Sequence, residues 1–268
     1  MKIITIFIKC VIDFFSFFIK KSADSQKYLF SVALKKEVSD YVETGYYVGY
    51  KHIEKSIDIA KKYLGNHDDF LIADVGGSIG VTAEYYLKAF PKASLYVFEP
   101  IKENYSHLKE RLKGGQNVFP INKALGNAIS ETEINVAKRI SSSSLFELNV
   151  DPTNPVFPEA LAHERKEKIQ ISTLDNELPK NKRVLILKMD VQGFELEVLK
   201  GGEDTIKRTS VITLEMNNHE GYLGSPKYFE IDEYLRKAGF CLYDMLPSTR
   251  YNGLLVEWDC IYINQDLL

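Results

Sequence analysis

From residue 70 onward, short apolar runs alternate with longer segments whose apolar positions follow a helical period. Short apolar runs bounded by turn residues are typical of buried strands, and apolar positions three and four residues apart are typical of helices that pack on a sheet. The pattern predicts strands at 71–75, 94–98, 118–121, 184–189, 211–214, 240–243 and 258–263. It predicts helices at 52–64, 79–89, 102–112, 194–200 and 228–237.

This alternation predicts an α/β fold. Successive strand–helix–strand connections are right-handed and build a mainly parallel sheet with helices on both faces. The last two predicted strands have no helical pattern between them, only a turn-rich segment at 247–253. We therefore expect these two strands to form an antiparallel hairpin on one edge of a seven-stranded, three-layer sandwich.

The N-terminal residues 3–19 are apolar and aromatic except at a few positions. On a helix, these polar positions and the next lysine share an arc of about 80°: Thr5, Lys9, Asp13, Ser16 and Lys20. A spanning helix needs about 20 apolar residues, so this segment is not expected to cross a membrane. Two interpretations stay open: peripheral membrane contact through residues 3–20, or packing against protein, including a partner subunit of a homo-oligomer.

Composition and charge limit the function classes. The 268 residues, 45% hydrophobic and 26% charged, are typical of a globular protein, and we expect an N-terminal helical extension over 1–50 and one domain over 51–268. The net charge of −3 argues against a nucleic-acid binder. The three cysteines and five histidines are scattered, without disulfide or metal-ligand spacing. We therefore expect no metal and a cytoplasmic location, peripheral at a membrane if residues 3–20 bind one.

A glycine turn follows the first predicted strand, in the sequence LIADVGGSIG at 71–80. A dinucleotide fingerprint would need glycines where Ser78 and Val81 stand, which disfavours a nicotinamide enzyme. Gly76 permits a backbone conformation closed to other residues, and Gly80 is expected to let the helix approach a ligand closely. Asp74, two residues before the first glycine, would suit a cationic ligand such as S-adenosylmethionine.

A second acid, Glu99, follows the next predicted strand. In open α/β sheets, ligands bind beyond the carboxyl ends of the strands, and an acid after the second strand accepts hydrogen bonds from ribose hydroxyls. Glu99 is therefore a candidate for binding the ribose of an adenosine ligand.

Several segments, in order, resemble the FkbM family of S-adenosylmethionine-dependent O-methyltransferases. These segments are DVGGSIG at 74–80, FEP at 98–100, NKALG at 122–126, SSL at 143–145, STLD at 172–175, LKMDVQGFE at 187–195 and VLKGG at 198–202. The resemblance covers roughly residues 70–245 and implies the class I methyltransferase fold, Rossmann-like, with one antiparallel edge strand. It departs from the family pattern at Gln192, where glutamate is usual, and at Ser78, where asparagine is usual.

The resemblance also implies roles for individual residues. Those that would hold the methionine part of the cofactor are Asp74, Gly76, Gly77, Ser78 and Gly80. Glu99 would bind the ribose, Ala124 and Leu125 would border the adenine, and Asp190 would face the methyl group.

Two residues compete for a catalytic role. Asp190 ends a predicted strand next to the implied methyl group, and His219 follows the strand that ends at Glu215. A histidine titrates near neutrality and could accept the proton of a hydroxyl nucleophile. We expect methyl transfer to a hydroxyl of a carbohydrate, glycolipid or related secondary metabolite. The alternative is a catalytically degenerate, cofactor-binding interaction protein, favoured only by Gln192.

Overall fold

A computed structural model describes residues 50–63, 69–138, 140–149, 163–218, 220–251 and 254–267. The predicted N-terminal amphipathic segment and His219 lie outside these residues. Within the described ranges, no helix combines the length and the apolar character needed to cross a membrane.

Ten strands and seven α-helices are described. The strands are β1 (Phe70–Val75), β2 (Ser94–Phe98), β3 (Val118–Ile121), β4 (Ala124–Leu125), β5 (Ser130–Ala137), β6 (His163–Ser172), β7 (Arg183–Met189), β8 (Thr209–Asn217), β9 (Phe240–Tyr251) and β10 (Leu254–Asn264). The helices are α1 (Lys51–Tyr63), α2 (Val81–Ala89), α3 (Lys102–Arg111), α4 (Leu174–Glu177), α5 (Glu195–Lys200), α6 (Glu203–Lys207) and α7 (Tyr228–Lys237).

The main sheet has seven strands in the order β3-β2-β1-β7-β8-β10-β9. All neighbouring pairs from β3 to β8 are parallel, and β10 is antiparallel to both β8 and β9. The predicted class I methyltransferase fold with a hairpin at one edge is therefore confirmed. The reversed strand, β10, lies second from the edge, and β9 is outermost.

Helices cover both faces of the sheet, as the strand pattern predicts. Alternate side chains of β1 enter two apolar clusters, because successive residues of a strand point to opposite faces. Leu71 packs in the cluster that contains Leu235 of α7, and Ile72 packs in the cluster that contains Ile53 of α1 and Tyr86 of α2. All six β1 residues are buried, which explains their continuous apolar pattern.

The segment at 247–253, expected to be a turn, is mostly strand. Pro247 of β9 pairs with Trp258 of β10, and the hairpin continues to Tyr251. Proline is tolerated there because β9 is an edge strand, whose outer hydrogen-bonding groups have no neighbour in the sheet. The turn signal of the proline was therefore misleading.

A second, three-stranded sheet was not predicted. Its order is β4-β6-β5, with β4 parallel and β5 antiparallel to β6. Much of β5 and β6 is charged and exposed, and only the residues at one end of each strand are buried. Ile134 and Ile171 pack there with Ile101, which precedes α3.

The two sheets meet where Gly201, after α5, approaches Gly126. A Cβ atom on Gly201 would lie 1.9 Å from the carbonyl oxygen of Gly126. The φ angle of Gly201 is −80°, which any residue can adopt, so close backbone packing alone requires glycine at this position.

We expect Gly201→Ala to destabilise the protein by about 1–3 kcal/mol, because the backbones must separate to admit the methyl group. Equilibrium urea unfolding would measure the change. Glu203→Ala, two residues further along on an exposed position, is the control and should change stability by less than about 0.5 kcal/mol. Equal stabilities for the two variants would contradict the steric explanation.

Candidate active site

A cavity opens at the carboxyl ends of β1, β2 and β7. Its wall includes Gly76 after β1, Glu99 after β2 and Asp190 after β7. These three residues lie close together because parallel neighbouring strands end at the same edge of a sheet.

The glycine turn is anchored to the end of β2. The backbone N–H groups of Gly76 and Gly77 both donate to the carbonyl oxygen of Phe98, at 3.0 and 2.9 Å. Gly76 has a φ of +77°, and a Cβ atom there would lie 1.9 Å from the Asp190 carbonyl oxygen. Only glycine fits between the two strand ends, so this turn sets the separation of β1 and β7 at the cavity.

A buried ion pair lies beneath this turn. The Lys188 ammonium is 3.1 Å from Asp74 Oδ1 and 3.9 Å from Asp190 Oδ2, and it donates to the Gly76 carbonyl oxygen at 3.0 Å. Burial lowers the pKa of Lys188, but the charges of Asp74 and Asp190 outweigh it and raise the pKa above its ordinary value. Lys188 therefore stays charged and compensates Asp74 inside the protein.

Glu99 is held by the backbone on both oxygens. Its Oε2 accepts from the Ser78 N–H and its Oε1 from the Ile101 N–H, each at 2.9 Å. Burial raises the pKa of Glu99 to about 7, although these hydrogen bonds and one from Asn104 lower it. Each carboxylate oxygen can accept a further hydrogen bond, so the group suits a diol.

One end of the cavity is apolar. Ala124 and Leu125 of β4 line it together with Ile134 of β5 and Phe194, which precedes α5. This surface belongs largely to the second sheet and can cover a flat, weakly polar ring.

The opposite end is polar and acidic, and its centre is Gln192. The Gln192 Nε2 donates to Asp190 Oδ1 at 2.9 Å and to Glu215 Oε2 at 3.0 Å. The Tyr222 hydroxyl is 2.9 Å from Gln192 Oε1. Burial, followed by the charge of Glu257, raises the pKa of Glu215 well above its ordinary value. The Asp190 side chain remains 45% exposed, which leaves it accessible to a substrate.

The structure brings most predicted site residues to the cavity. Those in its wall are Gly76, Ser78, Glu99, Ala124, Leu125 and Asp190. Three others stand behind the wall. The Asp74 side chain pairs with Lys188, Gly77 packs on Val97, and Gly80 packs on Leu108.

Contacts within the protein surround two residues of the glycine turn. The close approach at Gly80 in this structure is to the Leu108 side chain of α3, whose nearest atom would lie 2.8 Å from a Cβ atom on Gly80. Asp74 pairs with the internal Lys188 and is fully buried on β1, outside the cavity wall. The roles of Gly80, Gly77 and Asp74 toward the cofactor stay predictions.

Comparison with known proteins decides the family. The family model described as a methyltransferase FkbM domain matches residues 74–242. The chain belongs to the FkbM methyltransferase family.

Other similar proteins are methyltransferases as well. Methyltransferase 1 of Beauveria bassiana (strain ARSEF 2860) is 26% identical over 189 residues, which cover 65% of this chain and 75% of that protein. The crystal structure of the FkbM methyltransferase from Methylobacillus flagellatus KT is 15% identical, with a TM-score of 0.47, over 73% of this chain and 44% of that one. The match therefore spans less than half of that protein. Magnesium protoporphyrin IX methyltransferase from Synechocystis PCC 6803, solved with bound SAM, is 12% identical, with a TM-score of 0.44, over 80% of this chain and 79% of that one.

S-adenosylmethionine is the cofactor of this FkbM methyltransferase, and the cavity fits it. The cofactor has a charged amino-acid part, a ribose diol and an adenine ring. The cavity offers in turn the glycine turn, the doubly anchored Glu99 carboxylate and the apolar surface around Leu125. The three kinds of surface therefore match the three parts of the cofactor.

Several residues of this site were not identified from the sequence. Asn104 and Lys123 line the cavity, and Tyr222 reaches Gln192 from beyond β8. Asn104 is a buried residue of the mostly polar helix α3. The sequence could identify it only if one already knew which side of the helix faces the protein interior. Tyr222 lies in an irregular segment with no period to place it.

We expect Glu99→Ala to weaken binding of S-adenosylhomocysteine at least tenfold, since a hydrogen bond to a charged group contributes about 1.5–3 kcal/mol. With a pKa of about 7 and binding by the ionised form, wild-type affinity should be about tenfold lower at pH 6 than at pH 8. Titration calorimetry at both pH values would measure this. Glu103→Ala, exposed on α3, is the control. Unchanged affinity in folded Glu99→Ala would exclude Glu99 from the ribose site.

Glu195 gives a second pH-dependent prediction. Burial raises the pKa of Glu195 to about 7 despite hydrogen bonds from the Val191 and Gly193 N–H groups. A raised folded-state pKa stabilises the protein below pH 4.5, and this contribution is lost as the pH rises through 7. Between pH 5 and pH 8 this group should lower the free energy of unfolding of the wild type by about 2–3 kcal/mol. Glu195→Gln keeps the acceptor oxygen but cannot ionise, so it should not show this loss.

Urea unfolding at these two pH values would test it, with the exposed Glu203→Gln as control. If the wild type and Glu195→Gln lose stability equally between the two pH values, Glu195 is ionised throughout and the prediction is wrong.

Proposed function

We propose that this methyltransferase transfers the methyl group of S-adenosylmethionine to a hydroxyl group of a carbohydrate, glycolipid or related secondary metabolite. The observation that carries the proposal is the position of Asp190, a half-exposed carboxylate on a rigid strand end at the polar end of the cofactor cavity. A fixed carboxylate at this place can accept a hydrogen bond from a hydroxyl and hold its oxygen in line.

When bound, S-adenosylmethionine would supply its sulfonium methyl group to the acceptor oxygen: a carbon–oxygen bond forms, the carbon–sulfur bond breaks, and S-adenosylhomocysteine and the hydroxyl proton are released. Gln192 occupies Asp190 Oδ1, so Oδ2 is the oxygen that remains for the acceptor. The Lys188 ammonium lies 3.9 Å from Oδ2. Asp190 therefore orients the acceptor, and alignment provides most of the rate enhancement.

The rim of this cavity favours a polar acceptor. Polar side chains line the cavity together with Asp190, among them Gln192, Ser141 and Ser143. The Gln192 amide and the Ser143 hydroxyl hydrogen-bond within the protein, so their contribution is a polar lining that suits a sugar better than an apolar acceptor. The FkbM resemblance also supports a hydroxyl acceptor.

Two parts of the proposal concern residues outside the described ranges. His219 is our candidate for the residue that accepts the hydroxyl proton, since an imidazole is the better base near neutral pH. Residues 3–20 would hold the enzyme at a membrane surface if the acceptor carries a lipid, or would pack against protein in a homo-oligomer.

An assay with labelled S-adenosylmethionine and extracts of the source organism would test the acceptor class. We expect label in a carbohydrate-containing fraction, and after acid hydrolysis of that fraction we expect the label in an O-methylated monosaccharide. Label that acid hydrolysis never releases as a methylated sugar would contradict the sugar acceptor. If the protein binds S-adenosylhomocysteine but labels no fraction, the degenerate scaffold is the better interpretation.

We expect Asp190→Asn to lower the methyl-transfer rate about a hundredfold or more, within the range of about 10²–10⁴ typical of acid–base groups, because the neutral amide accepts a weaker hydrogen bond from the hydroxyl and holds its oxygen less firmly in line. Initial rates with the labelled extract would measure the loss. The exposed Asp204→Asn is the control, and calorimetry should show S-adenosylhomocysteine affinity within about threefold of wild type. Near-normal turnover with intact cofactor binding would remove Asp190 from this role.

A further inference from the structure

Gln192 joins four parts of the chain at the polar end of the cavity. Its amide N–H₂ donates one hydrogen bond to Asp190 and one to Glu215, which together use both of its protons. Its Oε1 faces the Tyr222 hydroxyl, and its backbone carbonyl accepts from Ser144 Oγ at 2.7 Å. The side chain is therefore fixed at both ends.

The backbone of Gln192 is also in an unusual conformation. Its φ angle is +54°, in the left-handed region that residues with a Cβ atom seldom adopt. Such a conformation persists only where surrounding contacts hold it. Here the following Gly193, whose φ is +96°, and the Ser144 hydroxyl hold the turn that directs the Gln192 amide back between the two carboxylates.

We propose that Gln192 is a positioning residue whose uncharged amide holds the Asp190 and Glu215 carboxylates in one site and leaves Asp190 Oδ2 for the acceptor. This inference rests on the proposed function, because it assigns Gln192 a part in the same reaction. After burial and the charge of Glu257, the charge of Asp190 also raises the pKa of Glu215, and an N–H₂ group that donates to both side chains satisfies them without adding charge. The departure of Gln192 from the family pattern is therefore a feature of the mechanism in this chain, not a sign of degeneration.

The proposal predicts that the effect of substituting Gln192 depends on pH, because many titratable groups surround Asp190 and Glu215. The titratable groups that face the pair are Lys188 on β7, Asp74 on β1, Glu195 on α5, Glu257 and Asp259 on β10, Tyr222 beyond β8, and His52 on α1, which contacts Asp259. Acids outnumber Lys188 here, so a further carboxylate would have to bind a proton or weaken the fold. Gln192→Glu, which is nearly isosteric, supplies that carboxylate.

Two variants separate the charge from the hydrogen bonds. Gln192→Glu replaces the donor by a third carboxylate, and Gln192→Met keeps a similar size but has no donor. For both we expect the methyl-transfer rate at pH 7 to fall at least tenfold and the acid limb of the pH–rate profile to move to higher pH, by about one unit or more for Gln192→Glu. S-adenosylhomocysteine affinity should stay within about threefold of wild type.

The rates would be measured with labelled S-adenosylmethionine and the extract, with EDTA present so that no divalent cation replaces the amide between the carboxylates. Melting temperatures from about pH 5.5 to pH 8.5 provide a readout that needs no acceptor. Gln192→Glu should lose stability relative to wild type as the pH rises, since a buried acid is tolerated only while protonated. Gln170→Glu, which adds the same charge at an exposed position of β6, should show no such trend.

A pH–rate profile of Gln192→Met that superimposes on that of the wild type would overturn the proposal. Melting curves in which Gln192→Glu parallels Gln170→Glu would overturn it too. A wild-type protein that binds S-adenosylhomocysteine but methylates no fraction contradicts the proposed function instead, and the melting temperatures then decide separately whether the amide holds the two carboxylates.

Discussion

The buried ion pair between Lys188 and Asp74 is the interaction on which the cavity depends. It connects the two central strands, β1 and β7, at the edge where both end, and the same ammonium group holds the Gly76 carbonyl. A buried charge that loses its partner typically costs 3–5 kcal/mol, so neither strand end can move without a large penalty. The ion pair thus fixes the distance between the glycine turn, which follows β1, and Asp190, which follows β7.

From this fixed edge, the character of the cavity changes in a regular order. Lys188 and Asp190 set the charge at one end, Glu99 provides a single carboxylate in the middle, and β4 provides an apolar wall at the other end. Each part comes from a different strand end or from the second sheet. In the proposed binding mode, the order of these surfaces along the cavity would recognise the cofactor, with the reacting group at the most polar one.

The sequence predicted the main sheet well because its signals are local. Continuous apolar runs and glycine turns mark β1 and β7, and an acid directly after a strand must stand at the sheet edge, as Glu99 and Asp190 do. The β5–β6 hairpin was missed because its charged residues hide the few buried positions at one end. The direction of the Asp74 side chain and the contact of Tyr222 with Gln192 depend on tertiary packing, which no local period encodes.

The pairing of β4 with β6 has a consequence for how this enzyme can diversify. Leu125 pairs with Ser172, so the chain leaves and re-enters the neighbourhood of the cofactor cavity at adjacent points, and the residues between them form a closed excursion. The entropy cost of closing such a loop grows only slowly with its length. Insertions and deletions can therefore accumulate in the exposed, charged parts of β5 and β6, away from the residues of this excursion that line the cavity, such as Ile134 and Ser143. The outer surface of the excursion can change in this way while the cavity wall keeps its shape.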